Sequence, residues 1–291
     1  MDVPSLVVSA FTRDGEGGNL AGVVLQADAL DERQMQAIAS RLGLSETAFV
    51  SSSGLGDVQL RFFTPTAEVP ICGHATIAAW HALLECGRFS PGSYWMETGA
   101  GLQNIDCSAS GVVTMSQNLP SFGPVVAPEP VLQALGLPSA ALLAADKMPV
   151  QVASTGLHKI FAPITSWEYL ASIRPDLAAI EAISRAYGAI GIYCFTLDSP
   201  GAATARCRNF APVVGIREDS ATGTSAAATS CLLVHHGLIA ASSRVELSFE
   251  QGDAIDQPSE IAVALELEGD DFVGVYVSGK ARSLEHRTLN C

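Results

Sequence analysis

Two stretches of the chain decide its fold: FFTPTAEVPICGHATIAAWHALLECG at 62–87 and NFAPVVGIREDSATGTSAAATSCLLVHHG at 209–237. Both read Phe, one residue, Pro, then a turn, then an apolar helix closed by glycine. In ATIAAWHALLEC (75–86) and GTSAAATSCLLVHH (223–236) small and apolar residues leave almost no polar face, which a helix tolerates only where protein surrounds it. Each is therefore expected at the centre of a folded unit. The echo continues in WMETGAG (95–101) and SFEQGDA (248–254), which share their Glu-x-Gly placement after the helix. Self-similarity at a spacing of roughly 150 residues means two copies of one supersecondary plan.

Working outward, alternating apolar runs predict strands at 4–10, 22–26, 47–51, 58–63, 92–98, 112–116, 150–154, 158–163, 191–196, 204–209, 245–250, 261–268 and 273–279. Further helices are expected at 31–42, with Asp31 as cap and Gly43 as stop, at 129–135 and at 176–187. The fold class is α+β, with two pseudo-symmetric domains, each a curled, mostly antiparallel sheet around a central buried helix. The domains are read as 1–120 and 121–280, joined near 118–128 where Pro and Gly punctuate, with 281–291 a C-terminal tail able to pack back on the first domain. If the helix starts at 73–77 and 222–226 face one another, their free N–H groups and positive dipole ends converge on a cleft suited to a small carboxylate.

Composition narrows the function. A chain of 291 residues with 48% hydrophobic and 16% charged residues is core-rich and not disordered. Its net charge of −14 repels phosphate backbones and anionic headgroups, so neither nucleic acid nor membrane is an expected partner. No apolar run reaches the ~20 residues of a membrane span. MDVPSLVVSAFTRDG reads as a strand with no export signal, which makes the cytoplasm the expected location. The seven cysteines, Cys72, Cys86, Cys107, Cys194, Cys207, Cys231 and Cys291, form no C-x-x-C pair, so no metal is expected and the thiols read as reduced core residues. GEGGNLAG at 15–22 has Leu20 where a dinucleotide loop needs its third glycine, and no phosphate loop or G-x-S-x-G occurs, so no cofactor is expected. The chemistry falls to side chains.

Polar residues gather just before each buried helix, as Cys72-Gly73-His74 and as Asp219-Ser220-Ala221-Thr222-Gly223-Thr224. Gly73 and Gly223 allow close backbone approach, while His74, Asp219 and Thr224 supply hydrogen bonds; the alternative is plain helix capping by Asp and Thr. Glu46, in LGLSETAFV, stands beside Leu44, Phe49 and Val50, which can desolvate it and raise its pKa toward that of a general acid/base, although a strand-edge Glu is ordinarily surface. Arg61, Arg206 and Arg208 lead into the two loops and could neutralise an acidic ligand. His235 and His236 read as C-terminal caps, His81 and His158 as packing residues.

SETAFV, FFTPTAEVPICGHAT and FAPVVGIREDSATGTSAA resemble, in order and spacing, the signature segments of the PhzF-like (phenazine biosynthesis) isomerase family. GGNLAGVVL (17–25), TGLHKIFAPI (155–164), EQGDAIDQPSEI (250–261) and VGVYVSGKA (273–281) extend the likeness over nearly the whole chain. The resemblance implies the diaminopimelate-epimerase fold, a homodimer, and a cofactor-independent isomerase with Glu46 moving a proton between substrate carbons. It further implies that His74, Asp219 and Thr224 hold and polarise the ligand, and that Gly73 and Gly223 present backbone N–H groups to its carboxylate. Related epimerases use two cysteines; here Cys72 holds the first loop and Ser220 is read at the place of the second thiol, which disfavours two-thiol racemisation. Cys72, Ser220 and Thr222 are then substrate-binding positions. The expected partner is a small anionic metabolite. Two other functions remain open at this point, an amino-acid-type epimerase or racemase and a non-catalytic small-molecule-binding protein.

Overall fold

The computed structural model describes residues 2–290 and divides into two compact units, one formed by the chain up to Ser116 and from Ser278 onward, the other by Gln117–Val277. The first stretch gives β1 (Asp2–Ala10), β2 (Asn19–Val24), α1 (Glu32–Leu42), β3 (Glu46–Ser51), β4 (Val58–Phe63), β5 (Glu68–Val69), α2 (Gly73–Glu85), β6 (Gly92–Thr98), β7 (Gly101–Cys107) and β8 (Val113–Ser116). The second gives β9 (Ser121–Val125), α3 (Pro128–Leu135), β10 (Gln151–Ser154), β11 (Lys159–Pro163), α4 (Trp167–Ser172), α5 (Leu177–Ala186), β12 (Ile192–Thr196) and β13 (Ala205–Ala211). It continues through β14 (Ile216–Asp219), α6 (Gly223–His235), β15 (Arg244–Gln251), β16 (Ser259–Glu268) and β17 (Asp271–Gly279) to β18 (Ala281–Asn290). Among the described residues no helix is long and apolar enough to cross a membrane.

The α+β class and the duplicated plan are what the strand pairings show. In the first unit β18, β1 and β2 run antiparallel, β2 and β3 parallel, β3 and β4 antiparallel, β4 and β6 parallel, and β6, β7 and β8 antiparallel, with β5 hung on β4. In the second, β9, β10 and β11 run antiparallel, β11 and β12 parallel, β12 and β13 antiparallel, β13 and β15 parallel, and β15 and β16 antiparallel, with β14 hung on β13. The two orders match strand for strand, from β18 to β7 in the first and from β9 to β16 in the second. Parallel neighbours need a crossover, and α1 serves β2 and β3 as α4 and α5 serve β11 and β12.

Sequence explains these elements locally. Asp31 accepts from the Gln34 N–H while the Gln34 side chain answers on the Asp31 N–H, a complete capping box, and Gly43 closes α1. Met35, Ile38, Ala39 and Leu42 turn that helix onto Phe49 and Phe63. Helices α2 and α6 are buried through most of their length, α2 against β1, β2, β3, β8 and β18 and α6 against β10 and β16. The hydroxyls that such surroundings would orphan turn back on their own helix: Thr76 to the Cys72 carbonyl at 2.8 Å, Thr229 to Ser225 at 2.8 Å and Ser230 to Ala226 at 2.9 Å.

The Glu-x-Gly echo has a steric origin. A Cβ on Gly99 would lie 3.0 Å from the Pro70 Cα, and one on Gly252, whose φ is +88°, would lie 2.0 Å from the Gln257 carbonyl oxygen and 2.9 Å from that of Ser220. Pro70 and Ser220 each sit three residues before the opening glycine of a buried helix, so both glycines let a strand end pass beneath the same turn.

Candidate active site

Glu46 opens β3, just beyond the α1 stop, and His74 is the second residue of α2; the fold of the first unit brings them together across 28 positions of sequence. His74 Nε2 lies 3.2 Å from Glu46 Oε2, and the two side chains keep only 11% and 16% of their exposure. Nε2 is also 3.2 Å from Ser45 Oγ, and Nδ1 is 3.4 Å from Cys72 Sγ. The imidazole thus bridges a thiol and a carboxylate. These three residues are the one His/Cys/acid group among the described residues whose donor atoms lie within 4.8 Å of one another.

Their charges are coupled. Burial pushes the Glu46 carboxyl up, but His74, by hydrogen bond and by charge, with Ser45 and Cys72 assisting, outweighs it and holds the group below its ordinary value. The expected upward shift is therefore corrected: Leu44, Phe49 and Val50 were visible in the sequence, but the cation was not. Burial likewise opposes the charged imidazole, yet Cys72 and Glu46 hold His74 well above its ordinary value. Burial raises the Cys72 thiol, which leaves Glu46 as the anion that His74 pairs with near neutral pH. Oε2 of Glu46 is buried, and His74 Nε2 is the cationic group that faces it.

The second unit's loop is built differently. Asp219 Oδ2 accepts from the Thr222 hydroxyl and from Asn209 Nδ2 (3.4 Å), and Asn209 Nδ2 also donates to Thr222 Oγ1 at 2.7 Å. Gln251 Nε2 donates to the Asp219 carbonyl at 2.7 Å and to Thr222 Oγ1 at 3.1 Å, and Tyr193 OH to Gln251 Oε1 at 3.2 Å. Lys159, 3% exposed as a residue, donates from Nζ to Asn209 Oδ1 at 2.6 Å. Ser220 is buried and its carbonyl accepts from Ser259 Oγ at 2.6 Å; the Thr224 carbonyl accepts from Thr155 Oγ1 at 2.9 Å. A Cβ on Gly156 would meet the Thr224 methyl at 3.4 Å.

Several expectations change. Neither Cys72 nor Thr222 caps its helix with a side chain, and the Asp219 carboxylate is turned to Thr222 and Asn209, so the plain capping reading fails at both loops. Helix register makes Thr222, directly before Gly223, the counterpart of Cys72 before Gly73, so Thr222 and not Ser220 stands at the place of a second thiol. The three arginines are committed: Arg61 to Glu68 and Glu32, Arg206 to Glu250 and Asp253, Arg208 to Glu218 at 2.8 Å and to the Leu170 and Ile173 carbonyls. His235 stacks on Phe122 at 4.2 Å and His236 Nε2 meets Gln151 Oε1 at 2.9 Å instead of capping carbonyls. His158 is exposed, and so is Cys86, while Cys107, Cys194, Cys207 and Cys231 are buried; Cys291 lies outside the described residues. Lys159, Tyr193, Asn209 and Gln251 were not singled out by sequence. The one signal was a lysine opening an otherwise apolar run, KIFAPI.

The family model described as phenazine biosynthesis-like protein (PhzC-PhzF) matches residues 8–287. A Salmonella typhimurium protein named uncharacterized isomerase YddE is 37% identical, over 96% of this chain and 95% of its own. Trans-2,3-dihydro-3-hydroxyanthranilate isomerase of Pseudomonas chlororaphis is 28% identical over 98% of both chains. The crystal structure of a Bacillus anthracis phenazine biosynthesis protein of the PhzF family superposes with a TM-score of 0.92, at 26% identity and full coverage of both. A duplicated α+β fold carrying a paired carboxylate and imidazole, among relatives that are isomerases, defines the class as an isomerase. The chain belongs to the PhzF, or phenazine biosynthesis-like, family.

Proposed function

We propose that this isomerase moves a proton, and with it a double bond, within a small carboxylate-bearing metabolite, with Glu46 as the group that takes the proton and returns it. One observation carries the reading: Glu46 Oε2 is buried 3.2 Å from the His74 imidazole, which holds the carboxylate ionised in a largely dry setting. A buried carboxylate paired with an imidazole is a recurrent arrangement for proton transfer, because neighbouring charge and burial together set its protonation state. With its pKa held low, Glu46 starts as the base. It removes a proton from an activated carbon, the electron pair moves into the adjoining double bond, and the neutral carboxyl then protonates the far end of that system. Proton and electrons balance with no metal, flavin or pyridoxal phosphate.

His74 holds Glu46 in place and stabilises its anionic form. The uncapped starts of α2 and α6, with Gly73 and Gly223, favour an anion, and Asp219, Ser220, Thr222 and Thr224 belong to the binding loop in this reading. Gly73 leaves its approach open, since a Cβ there would meet only Met115 Sδ, at 3.7 Å. Cys72, its thiol neutral, borders the site without acting as a nucleophile.

The test is turnover of trans-2,3-dihydro-3-hydroxyanthranilate in D2O by wild type and Glu46→Gln, read by NMR. Deuterium entering product with wild type alone supports the shuttle. Equal incorporation by both proteins would overturn the role of Glu46. A wild type inert on this compound would reject the substrate, and the same pair would then be screened on other unsaturated acids.

A further inference from the structure

We propose that Lys159 is a positioning residue that fixes the Asp219–Thr224 loop in its ligand-binding shape, acting through the side chain of Asn209. The inference rests on the reading above that this loop binds substrate.

The geometry is a single chain of hydrogen bonds. Lys159 Nζ reaches Asn209 Oδ1 at 2.6 Å; the other end of that amide donates to Thr222 Oγ1 at 2.7 Å and to Asp219 Oδ2 at 3.4 Å. Because an ammonium only donates, Lys159 fixes which way the amide points. Asn209 must then offer its NH2 to the loop, where it holds the Thr222 hydroxyl and the Asp219 carboxylate together. Without the cation the amide could turn over and present an acceptor to Asp219.

The sister unit shows that the fold does not require any of this. Thr47 faces Phe63 as Ile192 faces Phe210, which sets the register between the two. By that register Ala21 stands where Lys159 does, Phe62 where Asn209 does, Ala48 where Tyr193 does and Thr98 where Gln251 does. The same strands and the same helix start are thus built with apolar residues at three of four places. A buried ammonium is destabilising relative to such a core. Retaining it at the root of the loop marks a task beyond folding.

Burial lowers the Lys159 pKa to about 8, against the opposing pull of Asp219. Asp219 is the carboxylate that faces Lys159 across Asn209, while Tyr193 on β12 and Cys207 on β13 are pushed up by burial and stay neutral there. A titration near pH 8 in this network is accordingly that of Lys159.

The test compares wild type, Lys159→Met and Lys159→Arg. In wild type the Asn209 side-chain amide and the Thr222 and Gly223 backbone amides should show NMR shifts titrating near pH 8. Lys159→Met should abolish that step and speed amide exchange at 219–224 while leaving 69–74 unchanged, and Lys159→Arg should restore protection of the loop. With trans-2,3-dihydro-3-hydroxyanthranilate, KM should rise about tenfold in Lys159→Met with kcat little changed. Unaltered loop amides in Lys159→Met would overturn the proposal, whatever Glu46→Gln does in the exchange assay. Should Lys159→Met fail to fold, Lys159→Met with Asn209→Leu, apolar like Ala21 and Phe62, is read by the Thr222 and Gly223 backbone amides, by exchange at 219–224 and by KM, with Asn209→Leu alone as its reference.

Discussion

At the head of β3 the first unit carries Glu46; at the matching place before β12 the second carries Gly191, where an added Cβ would lie 2.0 Å from the Phe210 carbonyl oxygen. The second unit has no room for a side chain there. Conversely, where it builds a buried polar network from Lys159 to Gln251, the first unit has mostly apolar packing. One topology thus carries two arrangements, a carboxylate–imidazole pair in one copy and a buried hydrogen-bonded network in the other. Each copy is the control for its sister, since a feature present in only one is not demanded by the fold.

The comparison breaks most visibly at Glu46. Glu46→Gln should reduce turnover by about 10²–10⁴-fold while leaving the thermal midpoint close to wild type, measured by initial rates and melting. Gly191→Ala attempts to give the second unit what the first has. It should destabilise by about 3 kcal/mol through collision with backbone, read by denaturant unfolding.

His74→Asn sharpens the account of charge. In wild type the Glu46 carboxylate is held low, so the acid limb of kcat/KM should lie below the ordinary carboxylate value of about 4.3. Without the imidazolium, burial dominates and the limb should move up; a limb that stays put would show that His74 does not set the charge of Glu46. Stability carries the same sign. The pairing contributed by Glu46 is present above its unfolded pKa and lost as pH falls through its folded one, and that contributed by His74 is lost as pH rises through a folded value well above the usual 6.5. The smallest effects should be equal in the two copies. Asp31→Ala and Asp176→Ala each remove a side-chain cap from a crossover helix, and each should lower stability by about 1 kcal/mol.

Much of this architecture was legible because it is local. The all-round apolar helices, the Asp31 cap and Gly43 stop, and the repeated Phe-x-Pro are short-range patterns with direct structural causes. Strands β7, β9 and β18 were missed for equally physical reasons: GLQNIDC and ARSLEHRTLN are too polar to stand out as strands, and SFGPV holds Gly and Pro that ordinarily mark a connection. Glu46 and His74 were identified singly. Their contact, and the reversal it imposes on the carboxyl pKa, depends on α1 returning the chain beside β2, which no local pattern reports. The Lys159–Asn209–Thr222 chain starts with a bond between residues 50 positions apart, and only the strand register reveals it.

The pairing of β1 with β18 along Asp2–Asn290 means that the unit bearing Glu46 is assembled from the two flanks of the chain, with Gln117–Val277 inserted between them. During synthesis the inserted unit emerges as one continuous piece and can fold as soon as it clears the ribosome. The other must hold its partial sheet open, with one side of β1 unpaired, until Ala281–Asn290 is made. The setting of the Glu46–His74 pair is therefore completed late in biogenesis, and a ribosome stalled before residue 281 would hold a nascent chain that has the whole Gln117–Val277 unit and lacks the last strand of the other.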